Sequence, residues 1–185
     1  MKVLKNPIIA LLLSAVIVLS STYLSADVKL AKASAKITDG FYQGVKYDNY
    51  KHKSIYEQLD HICGAASGLV TVADNYGIDT EELSGLTGEL VNSLSAKSGD
   101  ISSLYTLYSS FSDALHALMD SLSGAELSGR DRQGTENYID TVKGAEKMIE
   151  EAGYNESVQE YKNDIRPLMD FFVRITKTKL PETFG

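Results

Sequence analysis

Residues able to do chemistry are few in this chain, and their spacing matches no reactive template. The histidines are His52, His61 and His116, and none sits in an HExxH, CxxC or clustered His/Cys pattern, so no metal site is expected. No G-x-S-x-G, P-loop or GxGxxG run occurs, so no nucleophile elbow or phosphate cradle is expected. The acidic stretch Asp74 to Glu82 holds one glycine, Gly77. A calcium loop needs glycine at its sixth position and a bidentate glutamate at its twelfth, and both fall early here. That stretch therefore reads as a capped break between two helices. Cys63 is the only cysteine, so it forms no intrachain disulfide, and its neighbours Ile62 and Ala66 place it on an apolar helical face. The chain is read as no enzyme, with no catalytic residue, no metal ligand and no cofactor.

Tyrosine is the one functional side chain in excess, 11 of 185 residues, while tryptophan is absent. Tyr42, Tyr47, Tyr50 and Tyr56 crowd one short stretch. Their amphipathic rings suit a membrane interface or a protein partner, and equally the packing of a link against a core. Tyr105 and Tyr108 lie on an apolar helical face and are expected in the core. The formal net charge of −7 repels phosphate backbones, so nucleic acid is not an expected partner.

The elements that must position these residues read as helical throughout. From Asn6 to Ala26 the chain carries no Asp, Glu, Lys or Arg, enough length to cross the roughly 30 Å hydrocarbon core of a bilayer as a helix. No small-residue cleavage site follows closely, because Leu24 stands where one is needed in Leu24-Ser25-Ala26. Residues 1–26 are thus read as an uncleaved single-pass anchor, with residues 7–26 in the lipid; a cleaved export signal is the rival reading. Lys2 and Lys5 on one side nearly balance Lys29, Lys32 and Lys36 on the other, and the signal-like start leans toward a soluble domain outside the cytoplasm.

Residues 27–53 read as a juxtamembrane helix with the stripe Leu30, Ile37, Phe41 and Val45, then a Tyr- and Lys-rich link from Tyr47 to Lys53. Residues 54–185 read as a helical bundle. Ser54 is a good N-cap, Gly77 a helix-ending glycine, and Asp79 or Thr80 starts the next element. Asp100 caps a long apolar helix through Leu122, and a polar link is expected from Ser123 to about Gln133. Tyr138, Val142, Ala145, Ile149 and Ala152 repeat at 4-3-4-3, and Tyr154, Val158, Tyr161 and Ile165 resume the pattern after Gly153. That average of 3.5 suits helices packed side by side. A kink or helix end is expected near Pro167. The fold class is all-α, a membrane helix followed by an antiparallel bundle of about four helices.

The last third also carries a resemblance. Tyr154-Asn155-Glu156-Ser157-Val158-Gln159-Glu160-Tyr161 reproduces the YN-x-x-V-x-x-Y signature of the LemA family, and the chain resembles a divergent member of it. Glu136-Asn137-Tyr138-Ile139 resembles the family's lead-in, and Leu180-Pro181-Glu182-Thr183-Phe184 its closing proline and aromatic. The family's arginine before the YN pair is replaced here by Glu150-Glu151-Ala152-Gly153, and Lys162 stands where asparagine often follows the second tyrosine. The resemblance implies one membrane helix, a helical bundle and no known catalytic residues. Tyr154, Val158 and Tyr161 fall on the core stripe, while Asn155 lies one residue off it, free to cap or bridge helices through its amide. The functional expectation is a membrane-anchored, non-enzymatic envelope protein working through contacts of its bundle with a protein partner. A sensory or small-ligand-binding module is the alternative.

Overall fold

A computed structural model describes residues 7–44, 46–47, 50–51, 54–96, 100–172 and 180–185, with the backbone alone for 7–10, 12, 26, 46–47, 50–51 and 166–172. Six helices account for nearly all of it: α1 (Pro7–Gln43), α2 (Ile55–Asn75), α3 (Glu81–Ala96), α4 (Ile101–Gly124), α5 (Gly129–Glu150) and α6 (Tyr154–Phe172). A minimal antiparallel ladder, β1 (Lys46–Tyr47) on β2 (Tyr50–Lys51), folds the tyrosine-rich link back on itself. The protein is all-α in class. Val45 of the juxtamembrane stripe, and residues 48, 49, 52 and 53 of the Tyr- and Lys-rich link, lie outside the described residues.

α1 crosses residue 26 without interruption, so the apolar run and the juxtamembrane stripe are one rod of 37 residues, roughly 55 Å long. By length and composition, over Leu13–Gln43, the helix is long and apolar enough to cross a membrane. Leu11, Ile17, Val18, Leu19 and Leu24 are all more than 60 % exposed, with no protein against them. The hydroxyls of Ser14, Ser20, Ser21 and Thr22 in the first half of the rod each donate to a carbonyl three or four residues back. This local bonding satisfies polar groups that would otherwise be costly in hydrocarbon. Its second half buries Ser34 and Phe41 and packs on α2 and α6. Gly44, at φ 73°, ends the rod, its N–H donating to Gly40 O at 3.0 Å.

α2 is the central element, packed on α5, α3, α1 and α4. The Ser54 hydroxyl accepts from Glu57 N at 3.0 Å at its start. At its end Gly77 takes φ 68°, with Gly77 N donating to Asp74 O and Ile78 N to Ala73 O, a Schellman closure. Leu59, Ile62, Ala66 and Leu69 on α2, Leu90 on α3, Phe111 and Leu115 on α4 and Val142 on α5 are fully buried. Cys63 is buried among them, its thiol pushed up to about 12 by desolvation and then by Asp60.

Five helices follow α1, against about four expected; Gly153 at φ 62° stands between α5 and α6, where the stripe is interrupted, and its carbonyl accepts from Ser157 N to start α6. One sequence expectation needs correction. The polar link between α4 and α5 shrinks to Ala125–Ser128. Ser128 is the N-cap of α5, its hydroxyl accepting from Asp131 N, so Arg130-Asp131-Arg132 form a first turn instead of a loop. Tyr76 donates to Asp131 and accepts from Ser128 N, tying the end of α2 to the start of α5. α6 runs through Pro167, and its end at Phe172 falls five residues beyond the proline near which a kink or helix end was expected. The carbonyl that Pro167 cannot serve belongs to Asn163, an exposed position where water can take its place.

Gly64 and Gly68, four apart on α2, separate cleanly in role. An added Cβ at Gly64 meets nothing, whereas at Gly68 it would fall inside the Tyr138 ring from α5. Gly64→Ala is expected to raise stability by about 0.5–1 kcal/mol through helix propensity. Gly68→Ala should come out about 1–2 kcal/mol less stable than Gly64→Ala, because the ring must move. In a Tyr138→Ala background the gap between the two should close. Chemical denaturation of the four variants measures it; a gap that persists without Tyr138 refutes the assignment.

Candidate functional site

The most specific polar geometry in the molecule lies where α1, α4 and α6 converge on the segment Leu180–Gly185. Pro181 and Phe184 of that segment are buried. Asn155, on the first turn of α6, holds Phe184 through both main-chain groups: its Nδ2 donates to Phe184 O and its Oδ1 accepts from Phe184 N, each at 2.8 Å. One carboxamide thus does for an extended residue what a neighbouring β-strand would do. Tyr154 donates its hydroxyl to Glu182 O at 2.9 Å. Glu182 in turn reaches the start of α4, where Ser102 N lies 3.5 Å from its carboxylate.

The Phe184 ring enters an aromatic cage. Its centroid lies 5.4 Å from Phe41, 5.2 Å from Tyr105 and 5.6 Å from Tyr108. Phe41, fully buried, also meets Tyr154 edge-on at 5.4 Å. These separations are in the range where aromatic pairs add attraction beyond simple burial. Gly185 follows at φ 148°, and a Cβ there would stand 3.2 Å from Asn155 Nδ2. The rim carries Glu146, Glu150 and Glu156 around an open cleft of about 460 Å³. His116 bonds Glu146 across α4 and α5 at 3.0 Å.

The motif residues of α6 fall as follows. Tyr154 is 7 % and Tyr161 8 % exposed, and Val158 is fully buried. Tyr161 donates to Leu30 O on α1 at 3.0 Å, placing α6 against the rod at the depth where the rod enters the bundle. Asn155 is half-buried. Of the four crowded tyrosines, Tyr42 and Tyr56 are half-buried and pair at 5.9 Å, and Tyr42 meets Phe41 edge-on at 5.1 Å. The side chains of Tyr47 and Tyr50 lie outside the described residues. Tyr105, expected in the core, is 36 % exposed because it walls the cage from the solvent side. Among the described residues no group of three or more His, Cys, Asp or Glu side chains is placed to hold a metal ion.

Two tyrosine hydroxyls beside Phe184 are shifted by burial. Burial pushes the Tyr154 hydroxyl up to about 12, helped by Tyr42, and the Tyr108 hydroxyl up to about 12, helped by Glu146 and Tyr105. Both are hydroxyls kept neutral. Phe184 and Asn155 escape periodicity arguments because they are 29 residues apart and share no helix. The sequence signals were separate ones: Asn155 as an amide off the core stripe, and Phe184 as an aromatic beyond Pro181, which bars helix and favours an extended chain before it. No protein-family model, no curated protein and no solved structure matches the chain.

Asn155→Ala leaves two half-buried main-chain groups of Phe184 unpaired and is expected to cost about 2 kcal/mol. Phe184→Ala should cost about 3 kcal/mol. The double variant should fall short of the sum by about 1 kcal/mol or more, since either change frees the same segment. Equilibrium unfolding of the three variants gives the coupling, and strict additivity would show that the two residues act apart.

Tyr108 and Tyr154 also set an alkaline limit. Unfolded tyrosine ionises near pH 10. Because the folded values are raised, their stabilisation is complete below about pH 10 and is lost as pH rises from about 10 to about 12. The thermal midpoint should decline through that window, and Tyr154→Phe should shallow the decline while costing about 1 kcal/mol at neutral pH. An unchanged alkaline slope in Tyr154→Phe would contradict it.

Proposed function

We propose that this is a membrane-anchored, non-enzymatic, LemA-like envelope protein, held in the lipid bilayer by residues 7–26 and acting through protein contacts of its bundle. The observation that carries the reading is α1, whose apolar half is unpacked while its other half is built into the core. Exposed apolar surface on that scale needs a cover, and length and hydropathy suit hydrocarbon. Because the rod enters the bundle without a break, the bundle sits hard against the membrane surface in this reading. The short links between α2 and α6 suit an antiparallel arrangement. The bundle is placed outside the cytoplasm, in keeping with the signal-like start of the chain. In this reading the residues of the LemA-like signature serve the bundle itself: Tyr154 and Asn155 grip residues 182–184, and Tyr161 grips α1.

A ligand-binding module is the second reading, and one observation favours it. A cleft of about 390 Å³ opens between α1 and α6, floored by Ile37, Gly40, Tyr154 and Tyr161, with Lys36 and Asp164 at its edges. That volume suits a small amphiphile.

Alkaline carbonate extraction and protease accessibility in intact cells test the first reading. The full chain should stay with the membrane pellet, and its bundle should be cut only by protease supplied from outside. Replacing Ile17 and Leu19 by lysine costs roughly 2.5–3.5 kcal/mol per residue in a bilayer centre and should move the chain toward the soluble fraction. The melting of the bundle should stay unchanged, since neither side chain touches it. Release of the unsubstituted chain by carbonate would overturn the anchor.

A further inference from the structure

The cleft between α1 and α6 carries opposite charges that do not meet. Lys36 lines it from α1, and Glu160 and Asp164, one turn apart on α6, line it from the facing wall. All three are exposed. Among the described residues the ion pairs are His116–Glu146 and Lys147–Glu151, so neither carboxylate is bonded to Lys36. Behind these charges the lining is apolar or small, with Ile37 and Gly40 on α1 and Ile55 on α2. Tyr154 and Tyr161 commit their hydroxyls to Glu182 O and Leu30 O, so they offer the cleft their rings. We propose that this cleft binds a single-chain phospholipid with a primary-ammonium headgroup. Its acyl chain lies on the apolar floor, and its phosphate and ammonium sit between Lys36 and the two carboxylates.

Each part of that ligand answers an observation. A cleft of about 390 Å³ is near the lower limit of small-molecule sites, which suits one acyl chain rather than two. A lysine ammonium meets a phosphate as a point charge, and carboxylates accept short charge-assisted bonds from N–H groups. A choline headgroup has no N–H to donate and a glycerol headgroup no cation, so neither satisfies both walls. The place of the cleft points to the source of the lipid. Ala33, its lining residue nearest the apolar half of α1, stands seven residues beyond Ala26, about 10 Å along the rod. In the anchoring reading that distance reaches just past a headgroup layer about 5–8 Å deep, so the charged rim opens at the lipid surface. This occupant rests on the ligand-binding reading of the cleft, and only its source rests on the anchor.

Native mass spectrometry of the full chain in an uncharged, non-phospholipid detergent tests the assignment. The chain is offered an equimolar mixture of lysophosphatidylethanolamine, lysophosphatidylcholine and lysophosphatidylglycerol of one acyl length. The ethanolamine lipid should be retained at one per chain, about tenfold or more above the other two. Glu160→Gln/Asp164→Asn should bring it to within about twofold of the choline lipid, and Lys36→Gln should weaken all three by a similar factor. These side chains are exposed, so the melt of each variant should not move. Ala33→Phe places a ring in the cleft and should abolish retention of all three; if it loses its cooperative melt, Ala33→Leu takes its place.

Equal retention of the three lipids, abolished by Ala33→Phe, would overturn the headgroup assignment and support the broader ligand-binding reading. Retention of none would overturn both. A preference that survives Glu160→Gln/Asp164→Asn would overturn this cleft as the site. Selective retention by a chain that carbonate releases would support the cleft and overturn the bilayer as the source.

Discussion

One rod is unpacked along its apolar first half and built into a protein core along its second, and much of the architecture follows from that. α1 is unpacked and apolar above and part of a protein core below, with no glycine or proline between Pro7 and Gly40 to separate the halves. A helix of this length cannot bend sharply without such a break. The bundle must therefore be assembled around a fixed axis, and α2 and α6 are the elements that clasp it. The contact of Tyr161 with Leu30 O falls at the transition between the two surroundings. Above it the hydroxyls of Ser14, Ser20, Ser21 and Thr22 bond within the helix; below it Ser34 is buried, while Lys32, Lys36 and Asp39 stay on the exposed face.

The second consequence is a hole at the foot of the rod. Where α1 ends at Gln43, the converging ends of α1, α4 and α6 leave space that helical side chains do not fill. Phe184 fills it from outside the helical framework and touches aromatic rings from α1 and α4, while the first turn of α6 grips its backbone. Filling an apolar gap with a ring is favourable, but the extended backbone that carries the ring brings polar groups with it. Asn155 and Tyr154 exist at the one place where those groups need partners. The packing requirement and the hydrogen-bonding requirement thus meet on consecutive residues.

Much of this was legible in the sequence wherever it rests on local rules. The 3.5-residue spacing, the Ser54 cap and the Gly77 turn depend on neighbours within a few residues, and each is found where those rules place it. The same rules misplaced the start of α5, because Ser128 could be recognised as a cap only once its hydroxyl was seen on Asp131 N. They could not foresee Gln58, a polar side chain 1 % exposed in the first turn of α2. The candidate site was legible only by halves. Asn155 stood out as an amide off the core stripe, and Phe184 as an aromatic beyond a proline. Their pairing joins a helix start to an extended segment, and no periodicity encodes that.

The electrostatics bear on what kind of work such a site can do. General acid–base chemistry requires groups whose protonation is poised near the working pH. Around Phe184 the shifts run the other way, since burial drives the hydroxyls of Tyr108 and Tyr154 further from neutrality. Cys63, deeper in the core, follows the same course. Neutral hydroxyls are good hydrogen-bond donors to peptide carbonyls, and that is the use Tyr154 makes of its own. The site offers donors and acceptors to a main chain and encloses one aromatic ring, which is what holding residues 182–184 against the bundle requires. The ring itself belongs to the common core, so the hydrogen bonds secure a segment on which core packing depends.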